Sequence, residues 1–98
     1  MFDKMKQLME MKKQADVIKK ELEAVSVNVE EVKGIKIRIN GAQKFKELQI
    51  DEGHIAAGNK QRLENDLLRC MNAAIKQSQN LAAEKMKSVM PGGFPGLS

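Results

Sequence analysis

The sequence predicts an α+β fold: a long N-terminal helix, a three-stranded antiparallel meander, then a long C-terminal helix. Three observations carry this reading. The apolar period is helical up to residue 25, drops to two between residues 25 and 50, and returns to helical after residue 59. Turn residues stand where the period-two runs break, at Lys33-Gly34 and Asn40-Gly41. No Gly or Pro interrupts the chain before Gly34. With 98 residues the chain holds one core, so residues 1–90 are expected to form a single domain.

The first helix is expected over residues 3–24. Leu8, Met11, Ala15, Ile18, Leu22 and Val25 follow one another at steps of three and four, which is a heptad seam. Asp3 sits where a first-turn acid favours the helix dipole. Two apolar positions in seven make a narrow stripe. It suits an arm packed against one other helix rather than a helix sunk in a globule.

In the next segment, Val25, Val27 and Val29 alternate with Ser26, Asn28 and Glu30. Ile35, Ile37 and Ile39 alternate with Lys36, Arg38 and Asn40. Alternating β-branched residues argue for strands with one buried and one wet face. Asn-Gly is a hairpin signal because both residues tolerate positive φ. The third strand, about residues 44–50, places Leu48 and Ile50 on one face and leaves Phe45 out of phase with them.

Residues 51–58 read as a loop, and the second helix runs from Asn59 or Lys60 to Val89. Its apolar residues, Leu63 and Leu67 through Ile75 to Met86 among them, span an arc wide enough to cover a sheet and a neighbouring helix. The Pro- and Gly-rich segment at 91–98 is expected to be a flexible tail. One small sheet cannot satisfy both a heptad seam and so broad an arc. A symmetric homodimer is the simplest remedy for the leftover apolar surface.

Composition excludes several classes. A single Cys rules out an internal disulfide framework and fits a reducing cytosol. No run approaches a membrane span, and a start charged from residue 3 onward does not read as a signal peptide. An enzyme is not expected: the one His and the one Cys are far apart, and the glycines fit no nucleotide-binding fingerprint. No cofactor or small-molecule substrate is expected. His54 near Asp51 and Glu52 reads as a solvated loop histidine, since closed zinc sites need about four ligands. Cys70, beside the apolar arc, reads as a structural thiol rather than a nucleophile. The seven Met read as core filler.

The charges are more informative. Lys and Arg number 17 against 13 Asp and Glu, a net charge of +4 that mildly favours an anionic partner. On the first helix Lys6, Lys13 and Lys20 repeat at seven residues, as do Lys12 and Lys19. A structural reading pairs Asp16 with Lys12, Lys19 or Lys20. On the second helix Arg62, Arg69 and Lys76 also stand seven apart, roughly 10 Å between neighbours, opposite the apolar arc. A ridge of separated cations on an apolar-backed helix suits phosphate contact. With three Phe and no Tyr or Trp, base stacking on single strands is disfavoured. No short recognition helix follows a tight turn. Backbone contact with duplex DNA, at low sequence preference, is the mode left.

The whole chain resembles the YbaB/EbfC nucleoid-associated proteins. The resemblance rests on the element order, on GIKIRING at 34–41, on ELQID at 47–51, on PGGFPG at 91–96, and on an opening Met1-Phe2 before a Met/Lys/Gln-rich helix. It departs at Glu52, where a Pro is expected, and at residues 56–58, where acids are expected. The resemblance implies a bacterial cytoplasmic homodimer with tweezer-like arms. Such a dimer would bind duplex DNA in the nucleoid, alter its conformation and affect gene regulation. It attributes DNA binding to the helices, which makes Lys12, Lys13, Lys19, Lys20, Arg62, Arg69 and Lys76 the candidate contacts. The rival class is a helical-arm adaptor or holdase that grips protein partners. Deleting residues 91–98 should leave the melting temperature within a few degrees, because a Pro/Gly-rich end buries little. A large drop in a thermal melt would show that Phe94 or Leu97 docks on the body.

Overall fold

The computed structural model describes residues 2–89. The tail expected at 91–98 lies outside them. The elements run α1 (Phe2–Ala24), β1 (Ser26–Val32), β2 (Ile35–Asn40), β3 (Phe45–Ile50), a 3₁₀ turn (Glu52–Ile55) and α2 (Lys60–Val89). The three strands form one antiparallel sheet in the order β1-β2-β3, so the α+β meander is observed.

The core lies between one face of this sheet and α2. Ile35, Ile37 and Ile39 of β2 and Val29 of β1 are buried there with Cys70 and Ala74 of α2. Alternation does this directly: Lys36 and Arg38 point to the wet face while the isoleucines point in. Cys70, Ala74 and Ser78 recur at intervals of four, so they form one stripe along α2 and are all buried. Cys70 is the structural thiol expected.

The pairing corrects the phase of Phe45. Ile35, Ile37 and Arg38 face Ile50, Leu48 and Glu47, but Ile39 faces Phe45, so Lys46 is one extra residue in β3. This β-bulge returns Phe45 to the face shared by Leu48, Ile50 and the isoleucines. Strict alternation cannot show an inserted residue, hence the mismatch. α2 packs chiefly on β1 and β2, and of β3 only Ile50 is packed against the core. Phe45 and Leu48 therefore stay exposed on the core-side face.

The Asn40-Gly41 connection also differs from expectation. Neither residue has positive φ; the left-handed residue is Gln43, at φ 63°. The Asn40 side chain closes the turn instead. Its Oδ1 accepts the amides of Ala42 at 3.0 Å and Lys44 at 2.9 Å. The Gly41 amide donates to the carbonyls of Leu22 at 2.9 Å and Val25 at 3.0 Å, at the C-terminus of α1. The Ser78 hydroxyl, from α2, donates to the Asn40 carbonyl at 2.7 Å. At the other hairpin Gly34 does adopt positive φ, 94°, as a two-residue turn requires.

α1 is only partly seated. Ile18, Leu22 and Val25 are half-buried near the sheet, and Lys85 of α2 holds Glu21 at 3.1 Å. Residues 3–17 are exposed throughout, seam positions Leu8 and Met11 included. Met5 and Met9 are open as well, so the methionines of this stretch do not fill the core as expected. The helix partner expected for the seam is supplied only at its C-terminal end. The molecule is correspondingly long, 66 × 21 × 19 Å.

Two substitutions test this arrangement. Ile39→Asp should abolish folding, since it buries a charge with no partner, whereas Ile39→Val should cost only about 1 kcal/mol. A folded Ile39→Asp chain by circular dichroism would refute the core. Gly41→Ala should cost roughly 1–3 kcal/mol, because a Cβ there would stand 2.9 Å from the Leu22 carbonyl oxygen and 3.2 Å from Val25 Cγ2.

Candidate nucleic-acid interface

The buried stripe of α2 fixes the direction of everything else on that helix. With Cys70, Ala74 and Ser78 turned inward, Arg62, Arg69 and Lys76 turn outward, and all three are exposed. Each step of seven residues advances about 10.5 Å along the axis and drifts about 20° around it. The three cations thus make a shallow, nearly straight ridge about 21 Å long. Arg62 meets Asp66 only at 4.0 Å, with 79% of its side chain exposed. Arg69 and Lys76 enter no ion pair among the described residues.

The lysines of α1 are equally open. Lys12, Lys13, Lys19 and Lys20 are all exposed. The pairing of Asp16 with Lys12, Lys19 or Lys20 is not observed among the described residues. An exposed pair on a helix gains about 0.3–0.5 kcal/mol at most, too little to hold two long side chains in place. The structure does not merge the two sets into one patch. α1 meets α2 at Lys85, about 35 Å along the helix from Arg62. The ridge occupies the sheet end and the arm lysines lie towards the other.

The wet face of the sheet carries mixed charge. Arg38 and Glu47 are opposite one another and form an ion pair at 3.5 Å. Together with Asn28, Glu30, Lys36 and Gln49 they line a shallow groove of about 420 Å³. Two acids and two bases balance there, so it lacks the single sign of the Arg62–Arg69–Lys76 ridge.

His54 is a partly exposed loop histidine, as expected, but it is held in place. It is half-buried, and its Nε2 lies 2.9 Å from the carbonyl oxygen of Lys33. The contact spans 21 positions of sequence, beyond the reach of local pattern reading. It brings a further cation, Lys33 of the β1–β2 turn, to the foot of the ridge, where both line one cleft with Arg62. Among the described residues no group of three or more His, Cys, Asp or Glu is placed to hold a metal ion. No described helix is long and apolar enough to cross a membrane.

Changing Arg62, Arg69 and Lys76 together to Gln should leave helicity intact and the melting temperature within a few degrees. The change removes one ion pair, which at 4.0 Å is long and whose Arg62 side is 79% exposed, and Gln is as good a helix former as Lys or Arg. A collapse of the circular dichroism signal would mean that the ridge holds the fold rather than facing solvent. The family model described as the YbaB/EbfC DNA-binding family matches residues 1–94 of the chain.

Proposed function

The chain belongs to the YbaB/EbfC DNA-binding family, and from that premise we propose a nucleoid-associated protein that binds duplex DNA through the phosphate backbone, with low sequence specificity. One observation carries the mode of contact: Arg62, Arg69 and Lys76 present an outward line of cations barely engaged by the protein's own acids. Phosphates can take up such groups without first breaking a strong internal pair. The absence of Tyr and Trp speaks against base stacking. The long dimension of 66 Å matches roughly 20 base pairs at about 3.4 Å each. A protein of this kind would alter DNA conformation, organise the nucleoid and influence transcription through occupancy rather than by reading a site.

The binding unit in this reading is a homodimer. Phe45 and Leu48 lie on the core-side face of β3, beyond Ile50, the residue of that strand packed against the core. They are 42% and 54% exposed, and Leu68 and Met71 of α2 are similarly open. Large apolar side chains left open on both layers favour closure by a second copy. The exposed Met5, Leu8, Met9 and Met11 of α1 favour the rival reading, arms that grip protein partners.

Salt separates these readings. Six ridge cations in a dimer would give a slope of roughly −5 in log affinity against log salt, at about −0.9 per neutralised phosphate. Changing the ridge to Gln should weaken every duplex alike and flatten that slope in a mobility-shift series. Changing Lys12, Lys13, Lys19 and Lys20 to Gln measures the arm contribution. Binding lost only in the arm variant would move the contact to α1. Binding unchanged in both would favour the adaptor, whose apolar grip should persist at high salt. Sedimentation at micromolar concentration should find two chains, and Leu48→Asp should shift the equilibrium to folded single chains. A wild-type monomer would overturn the dimer.

A further inference from the structure

The ridge of α2 does not stop at Arg62. An open cleft of about 370 Å³ lies where the β1–β2 turn, the 3₁₀ turn and the first turn of α2 meet, and Lys33, Asp51, His54, Asn59 and Arg62 line it. The wall is held by a specific lock. A carbonyl oxygen can only accept, so His54 Nε2 carries the hydrogen and donates to the Lys33 carbonyl at 2.9 Å. The imidazole reaches that position because residue 34 is glycine; a Cβ there would stand 2.7 Å from Nε2. The Asp51 amide donates to the Gly34 carbonyl at 2.8 Å, closing the same junction from the strand side. Lys33 is thus anchored through its own backbone at the edge of the cleft.

The charges around the cleft do not pair with one another. Lys33 and Asp51 enter no ion pair among the described residues, and Arg62 touches Asp66 only at 4.0 Å. Within the lining, Lys33 and Arg62 stand against the single carboxylate of Asp51, an excess of one positive charge. That matches the single negative charge of a phosphodiester. Arg62 offers a planar fork and Lys33 a point charge, two complementary ways to hold phosphate oxygens.

We propose that this cleft seats one phosphate group, held between Lys33 and Arg62. The preferred source is the DNA backbone, and that part rests on the duplex-binding reading above. A strand that meets Lys76, Arg69 and Arg62 in turn continues onto Lys33 at the foot of the ridge. A free phosphate or phosphomonoester would satisfy the same chemistry.

The test has two arms, both on the full chain. In the first, inorganic phosphate is titrated at constant ionic strength against chloride while amide chemical shifts are followed. Saturable shifts at Lys33, Gly34, His54 and Asn59 are expected, and they should vanish in Lys33→Gln and in Arg62→Gln. Asp51→Asn should bind phosphate several-fold more tightly, a gain that a merely destabilised protein would not show. In the second arm, duplex affinity is measured across salt. Lys33→Gln should flatten the slope by about 0.9 per chain, and Asp51→Asn should tighten every duplex. Absence of saturable shifts at those amides overturns the site. Shifts with a duplex slope unchanged in Lys33→Gln support the phosphate cleft and overturn its continuation onto DNA. If the wild type binds no duplex but still titrates with phosphate, the duplex reading fails and the cleft stands with a free phosphate as its ligand.

Discussion

Everything in this chain is hung on the corner at Asn40-Gly41. Asn40 is 1% exposed, and its side-chain oxygen, its amide and its carbonyl are all used. Its side chain closes the β2–β3 connection, its amide donates to the Lys44 carbonyl at 2.9 Å, and its carbonyl accepts the Ser78 hydroxyl of α2. The neighbouring Gly41 amide takes two carbonyls at the end of α1. Helix ends leave carbonyls without intrahelical partners, and burying them unpaired is costly. Here they are satisfied by the backbone of a turn, so α1, the sheet and α2 meet through hydrogen bonds within two residues. A side chain at position 41 would sit where the α1 carbonyl must come.

From that corner the coverage of the molecule is uneven. α2 lies over β1 and β2 and leaves Phe45 and Leu48 of β3 open, while α1 touches the body only through its last turns. The core is small and aliphatic: Ile35, Ile37, Ile39 and Val29 against Cys70 and Ala74. A small core that leaves Phe45, Leu48, Leu68 and Met71 open is an incomplete one. Its charged exterior follows a different rule. Surface ion pairs are weak, so most cations of the two helices are left to solvent. On α2 the open apolar side chains, Leu68 and Met71, and the open cations lie on different faces.

The fold was largely legible in the sequence because each element carries its own period. Steps of three and four in α1, the β-branched alternation in β1 and β2, and the breaks at glycine are local facts. Side-chain direction along a helix or strand follows from them. The outward direction of Arg62, Arg69 and Lys76 was legible for the same reason: it is fixed once the apolar arc is known. The bulge at Lys46 was not legible. It is defined only by which residue of β2 lies opposite, and Phe45 alone reads as a misfit.

The order of elements, the buried face of β2 and the ridge on α2 are written in the chain itself, since they depend on periodicity and on residues within a few positions of one another. The remaining features arose only when distant segments met. Packing placed His54 against the Lys33 carbonyl across 21 positions and so turned a loop histidine into a lock. It committed the Asn40 side chain to an internal turn and the Gly41 amide to α1, where local rules had assigned them a positive-φ hairpin. It left most of the α1 seam and Phe45 and Leu48 of β3 without cover. Contacts between distant residues depend on where the backbone turns, and periodicity carries no information about that.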